Sequence, residues 1–471
     1  MTHLILENEP LVTVYVLNHN YAIYLKDCIE SVLSQSYDNC EIIVIDDGST
    51  DNSKEVLSEY ESHDRLHIMY QENIGLIKSI YKAFSIANGE YVVRVDADDW
   101  IAPKFIEKLV GRIDGDEDIA MIFPDYYEVD ESGHLLHRVK RHDFSTDVTL
   151  LDQPAHGACT LIRKSAYFDV GGHNQKLQCQ DGVDIWLALT EKYKVANLKE
   201  PLFYYRKHSR SLTKNHSQIL RNRAIIYRDH AVRRGYKTEA VLAFIPVREQ
   251  LVGENEFVLS EIAGKSLLHW TIEKALDSDL VTDIVVSTDS DRVESHIYMH
   301  PDLCTKNNIK VHKRSKRLAS QGVHINESIR DYFDMYQYNF DGSVVILTPN
   351  YPFSTNIHID TAIYCGYIFD SDVVDSVIED SSLLYYHNGS GLVELFDGEI
   401  RHERDNVYIR KGGITVCRNS YLSVIQSGKK NEKVVRGHIV VDEYSSFEVK
   451  TISDMRIADY MAKSILGFSY D

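Results

Sequence analysis

The chain has 471 residues, 44% of them hydrophobic and 26% charged. That composition can bury real cores, and at roughly 100–200 residues per domain it predicts two or three of them. Lys and Arg number 51 against 71 Asp and Glu, and the net charge of −20 repels phosphate backbones and anionic membranes, which argues against a nucleic-acid partner.

Two blocks of alternating strand and helix patterns follow one another. The first opens with the β-branched apolar run Val12–Leu17, then a helical pattern from Tyr24 to Gln35. The buried-strand pattern Glu41–Ile45 ends abruptly in Asp46-Asp47-Gly48-Ser49. A helix at 53–60, a strand near 66–70, a helix at 75–87 and a strand at 90–95 continue the alternation. This rhythm predicts a largely parallel sheet covered by helices, with ligands beyond the carboxyl ends of its strands. Both acidic clusters, Asp46-Asp47 and Asp96–Asp99, fall there. The polar, basic stretch up to 238, including Arg221–Arg234, reads as a helical connector. The second block has strands at Val241–Pro246, Asp283–Thr288 and Val344–Leu347 and a helix at Leu267–Leu276. The fold class is therefore α/β, with two Rossmann-like domains, at 1–215 and 239–471, joined by 216–238. Seven scattered cysteines, without a CxxC pair, fit a reducing compartment. Met1–Leu11 lacks the charged and apolar regions of a signal peptide, and no apolar run reaches the about 18 residues of a membrane helix. A cytoplasmic protein is the default expectation.

Asp96, Asp98 and Asp99 sit on one turn after the strand Tyr91–Val95. Carboxylates so close repel unless a cation lies among them, and a divalent ion with oxygen ligands also neutralises a departing diphosphate. Taken alone, a solvated acidic turn explains the cluster equally well.

The wider pattern decides between these readings. Val12–Asn20, Ser31–Tyr37, Glu41–Asp51, Asn73-Ile74-Gly75 and Asn88–Tyr91 resemble, in order, the family 2 glycosyltransferases of GT-A fold, and Asp96–Asp99 falls where that family has its DxD-type turn. The resemblance covers about residues 11–215. It implies an inverting, metal-dependent transferase using a nucleotide-sugar donor, UDP-linked first, and a glycan or glycoprotein acceptor. By the same resemblance Asp47 contacts the base, Asp96 lies at the ribose and metal side, and Asn18 and Lys78 belong to the nucleotide site. Asp98 is the principal ligand of Mn2+ or Mg2+. Asp46 reads better as a turn or cap carboxylate. Gln180-Asp181-Gly182-Val183-Asp184-Ile185-Trp186 resembles the family's Glu-Asp-x-Asp-x-Trp segment, with Gln180 where Glu is common. Asp181 is then the base that takes the acceptor's proton, a helix N-cap being the competing reading. Asp184 reads as structural or acceptor-facing and Trp186 as core. Tyr205-Arg206-Lys207-His208 resembles the Tyr-Arg-x-His segment. It implies Arg206 at the diphosphate and His208 as a metal ligand, against a plain surface histidine. Gly171-Gly172-His173 resembles the glycine turn before the base.

The second block resembles the acylneuraminate cytidylyltransferases, through Phe244–Arg248, Ala263–Ala275, Val285–Ser290, Leu347–Pro352 and Lys411–Val416. The phosphate chemistry of that family is depleted. Its loop lysines fall on Val252 and Phe257, Glu254 and Glu256 add negative charge, and Lys450 stands where a metal-binding carboxylate belongs. Arg248 and Glu448 remain of a degenerate second site. The resemblance implies an inactive domain that pairs the chain as a homodimer. Two rival readings are a bifunctional protein that also makes a CMP-activated acidic sugar, and a scaffold with both domains dead.

Overall fold

The structure, a computed structural model, describes residues 9–140, 157–208, 216–237, 239–248, 257–300, 303, 309–320, 322–336, 340–380, 384–387, 389, 392–394, 407–418, 421–422 and 434–465. The chain divides into two units, Met1–Ile226 with Leu383–Arg404 and Tyr227–Ser382 with Asp405–Asp471. The stretch read as a connector is helical from His216 to Arg233, and the division falls inside that helix. No helix of the described residues is long and apolar enough to cross a membrane.

The first unit is built on β1 (Val12–Asn18), whose seven residues are all buried. A strand buried on both faces reads as a continuous apolar run, and β1 is flanked in parallel by β2 (Cys40–Asp47) and β4 (Tyr91–Asp96). Beyond β2 lies β3 (Leu66–Gln71), also parallel. Helices α1 (Ala22–Leu33), α2 (Ser53–Ser58) and α3 (Leu76–Ile86) make the crossovers. After β4 come the short β5 (Trp100–Ile101) and α4 (Phe105–Ile113). In α4, Phe105, Ile106, Leu109, Val110 and Ile113 fall on one helical face, and all five are buried.

The sheet then turns mixed. Strands β6 (Ile119–Val129), β7 (Leu135–Val139), β8 (Leu161–Arg163) and β9 (Lys194–Arg206) complete the order β3-β2-β1-β4-β8-β6-β9-β5, with β7 on β6. Helices α5 (Lys164–Asp169) and α6 (Asp181–Thr190) precede β9, and α7 (His216–Arg233) follows it. Because β1, β2 and β4 run parallel, their carboxyl ends meet: Asn18 pairs with Asp46, and Leu17 with Asp96. That register carries the acidic turns to one edge of the sheet.

The second unit has a seven-stranded sheet around Ala240–Val247, which pairs in parallel with Asp283–Thr288 and Gly342–Leu347. The order runs Ile309–Lys313, Asp283–Thr288, Ala240–Val247, Gly342–Leu347, Val407–Cys417, Val373–Asp380, Arg436–Val440; only Val407–Cys417 is antiparallel to its neighbours. The helix Leu267–Leu276 starts where expected, because the Ser266 side chain accepts from His269 N at 3.1 Å.

Candidate active site

A cavity of about 560 Å³ opens at the carboxyl edge of the first unit's sheet. Asn18, Asp47, Asp96, Asp98 and Asp181 all line it, although 163 positions separate the first from the last.

Asn18 and Asp47 are held by local hydrogen bonds. Asn18 Nδ2 donates to Asp46 Oδ1 at 2.7 Å and to Ser49 Oγ at 3.0 Å, so Asp46 serves the turn as the sequence suggested. Asp47 accepts from Gln71 Nε2 at 2.7 Å and from the backbone N–H groups of Ile74 and Gly75, each at 2.9 Å. Gly75 has φ +86°, a left-handed conformation suited to glycine, and it lets that N–H turn toward the carboxylate.

Asp98 Oδ2 and His208 Nε2 stand 2.9 Å apart, and His208 is buried rather than on the surface. Tyr21 and Tyr24 pack around its ring. Asp99 accepts from Arg206 N at 2.9 Å through Oδ1, and its buried Oδ2 has no partner. Burial raises the Asp96 and Asp99 carboxyls above their ordinary range; Asp98 adds to both shifts, while Arg94 opposes the one at Asp96. Among the described residues no group of three or more His, Cys, Asp or Glu could hold a metal ion. The donors present nevertheless fit one. A carboxylate and an imidazole about 3 Å apart match two neighbouring ligands of a six-coordinate ion with bonds of about 2.1 Å, the remaining positions falling to phosphate oxygens and water.

Asp181 begins α6, and Gln180 rather than Asp181 takes the N-cap position. Gln180 has φ +67°, uncommon for a residue with a side chain. Asp181 Oδ2 accepts from Arg94 Nη1 at 2.8 Å, and Arg94 Nε reaches Asp96 Oδ1 at 2.9 Å. One buried guanidinium therefore bridges Asp181 and Asp96. Gly157 leaves room for this pair, since a Cβ there would overlap Asp181. Asp184 accepts from Asn174 N at 2.8 Å and Trp186 is buried in the core. In the glycine turn, a Cβ on Gly172 would strike the Tyr167 ring, whose hydroxyl meets His173 Nδ1 at 3.0 Å.

Two of the expected site residues, Arg206 and Lys78, are absent from the cavity lining. Arg206 does not line the cavity: its Nε donates to Asp98 O at 2.9 Å, Nη1 to Glu131 O at 2.9 Å and Nη2 to Asp27 Oδ2 at 3.2 Å. The Tyr24 and Trp100 ring centroids lie 4.5 and 4.7 Å from its guanidinium carbon, and its hydrogen bonds brace the acidic turn. Lys78 lies on the exposed side of α3, outside the cavity lining, because the helical period turns Ile77 and Ser79 inward. Sequence reasoning missed Arg94 and Arg223. An arginine inside the apolar run Tyr91–Val95 was a readable signal for the first; nothing local marks the second.

In the second unit Glu448 meets Lys411 Nζ at 2.8 Å and Lys450 Nζ at 2.9 Å. Burial would raise its carboxyl, but hydrogen bonds from Lys411, Lys450 and Tyr351 hold it below its ordinary value. Arg248 stands half-buried just past the strand Ala240–Val247. The loop positions Val252, Gly253, Glu254 and Glu256, and the Phe257 side chain, lie outside the described residues.

Comparison with known proteins places this geometry. Residues 13–171 match the family Glycosyl transferase family 2, and residues 256–362 match the family Cytidylyltransferase. An uncharacterized glycosyltransferase of Methanocaldococcus jannaschii is 30% identical over 214 residues, 42% of this chain and 71% of that protein. The chain belongs to glycosyl transferase family 2. Glycosyltransferase GlyG of Streptococcus pneumoniae is 37% identical over 142 residues, 30% of this chain and 47% of the relative. The chain thus spans less than half of that relative's length. Among solved structures, S. aureus TarS residues 1–349 with UDP-GlcNAc aligns at 19% identity and a TM-score of 0.40, over 46% of this chain and 66% of that one. The family 2 match ends at residue 171, ahead of Asp181, and the Cytidylyltransferase match begins at 256, after Arg248 and Val252.

Proposed function

We propose that the first unit moves a sugar from a nucleoside diphosphate-sugar to a hydroxyl of a glycan or glycoprotein, with inversion at the anomeric carbon. The observation that supports this is the meeting of Asn18, Asp47, Asp96, Asp98 and Asp181 on one cavity. Asp47 Oδ2 accepts one hydrogen bond, from Gly75, and a carboxylate oxygen has room for a second, which suits the imide N–H of uracil. UDP is therefore the donor nucleotide we favour. Asp181 takes the proton of the acceptor hydroxyl as that oxygen bonds to the anomeric carbon. The bond from this carbon to the diphosphate oxygen breaks on the opposite face, and its electron pair leaves with the nucleoside diphosphate. Arg94 holds Asp181 Oδ2 in place for that transfer. Asp98 and His208 would hold Mn2+ or Mg2+, which supplies positive charge to the departing diphosphate.

For the second unit we propose a cytidylyltransferase fold without nucleotide activation. Glu448, the acidic remnant of its metal position, already has its charge answered by two lysines.

The test is calorimetric titration of the full chain with UDP, dTDP and GDP, with and without Mn2+, for the wild type and Asp98→Ala. One diphosphate is expected to bind, more tightly with Mn2+, and the metal effect should vanish in the variant. Binding of none of the three, or an undiminished metal effect in Asp98→Ala, would falsify the reading.

A further inference from the structure

Asp47 is held by more than its own loop. The parallel register of β2 and β3 sets Gln71 beside it, and Gln71 Nε2 donates to Asp47 Oδ1 at 2.7 Å. The same nitrogen donates to Ser79 Oγ at 2.8 Å, and Lys82 Nζ donates to Gln71 Oε1 at 2.7 Å. Ser79 and Lys82 stand three residues apart on α3, so one helical face brings both to Gln71. Asp47 and Ser79 line the cavity, whereas the half-buried Gln71 and Lys82 stand outside its lining.

This chain of bonds has one polarity. An ammonium only donates and an ionised carboxylate only accepts, so Gln71 must turn its oxygen to Lys82 and its NH2 group to Asp47 and Ser79. Asp47 Oδ1 is then taken by Gln71 and by Ile74 N. The oxygen left for a ligand is Oδ2, which accepts from Gly75 N at 2.9 Å and has room for one further donor. Asp47 therefore offers a nucleobase an acceptor and no donor. Uracil presents its ring N3–H to such an oxygen. Cytosine presents a bare N3 lone pair, and two facing acceptors repel. UDP and CDP share their ribose and diphosphate, so a difference in their affinity reads the base edge alone.

We propose that Lys82, acting through the Gln71 amide, is a positioning residue for nucleobase selection: it holds Asp47 Oδ2 as an acceptor toward the base, so that the site takes a ring N–H and refuses cytosine. The inference deepens the transferase reading and rests on it. Lys82 is outside the cavity lining, so its influence on the base passes through Gln71 and Asp47. A hydrogen bond to a carboxylate is worth about tenfold to a hundredfold in affinity.

The test titrates UDP, CDP and GDP into the full chain with Mn2+ by calorimetry, for the wild type, Lys82→Arg, Lys82→Met and Lys82→Glu, beside thermal unfolding of each. The wild type should bind UDP about tenfold more tightly than CDP, or better. Lys82→Arg still donates and should keep that ratio. Lys82→Met should narrow it about threefold. Lys82→Glu should abolish it, because a carboxylate at 82 draws the Nε2 group to itself and turns Oε1 against Asp47. A general loss of charge or stability acts on UDP and CDP alike and leaves the ratio where it was. Equal wild-type affinity for UDP and CDP overturns the proposal. So does a wild-type ratio in Lys82→Glu, or in Lys82→Met should the glutamate variant fail to fold, since Lys82 is then merely structural. Binding of GDP without UDP removes this proposal and leaves the transferase reading standing; binding of none of the three sinks both.

Discussion

Gly157→Ala tests whether Asp181 must sit where it is. A methyl carbon at 157 would overlap Asp181 Oδ2, and it would stand 3.0 Å from both Asp181 Cγ and Arg94 Nη2. Ordinary contacts need about 3.5–4 Å, so the neighbours must give way by something near an ångström. Neither has an easy retreat. Arg94 and Asp181 are both buried and joined at 2.8 Å, and Arg94 is also tied to Asp96. A displacement of about 1 Å at a reacting group costs on the order of a hundredfold in rate, or roughly 2.7 kcal/mol of barrier. Overpacking should lower stability by a further ~1–3 kcal/mol without preventing folding. Asn18 and Asp47 hold separate partners, so nucleotide affinity should not follow the rate down. The assay is steady-state transfer beside nucleotide calorimetry on the same preparation. Wild-type turnover in Gly157→Ala, or a parallel collapse of nucleotide binding, refutes the argument.

Other outcomes follow from the same reading. Asp181→Asn should abolish turnover and keep nucleotide affinity, because the lost carboxylate acts on the acceptor; normal turnover at saturation would contradict the role. Lys274 is fully buried, donating to Tyr351 O at 2.8 Å and Ser354 Oγ at 2.6 Å, and burial pushes its ammonium down to about 7. Between about pH 7 and 10.5 the unfolded chain then holds a proton that the folded one lacks, so stability gained through this group rises with pH, by up to ~1.4 kcal/mol per unit. Thermal unfolding at pH 7 and 9 should show wild type gaining on Lys274→Met at the higher pH; an unchanged gap would rule this out. Incubation of the full chain with CTP, nonulosonic acids and Mg2+ should release no pyrophosphate, and saturable release would restore the second unit as an enzyme.

Much of the fold was legible because strands buried on both faces leave little choice of residue. Val12–Leu17 and Glu41–Ile45 carry the β-branched apolar runs of a parallel sheet's centre, and Asp46-Asp47 ends the second abruptly. Asp47, Asp96 and Asp98 were readable for the same reason, since a carboxylate just past a buried strand must face the sheet's open edge. His208 could be named but not placed from the sequence, because a lone histidine looks alike on a surface and against Asp98. Arg206 and Lys78 show the limit from the other side. A cation near a phosphate motif in sequence is drawn to whichever acceptors the fold brings closest, and for Arg206 these are Asp98 O, Glu131 O and Asp27.

The sequence by itself determined two α/β units, the order of most of their elements, and the acidic residues at the strand ends. These depend on local periodicity and on which residues tolerate burial, both properties of short stretches of chain. Only the tertiary structure decided that Arg94 bridges Asp96 to Asp181, that Gly157 makes room for them, and that Arg223 reaches the cavity from a helix that reads as a connector. Arg94 and Asp181 lie 87 positions apart and Arg223 and Gln180 lie 43 apart, and no local rule encodes a distance across a fold. They come from strand register and helix docking, where the packing of the whole unit sets which side chains must share a charge.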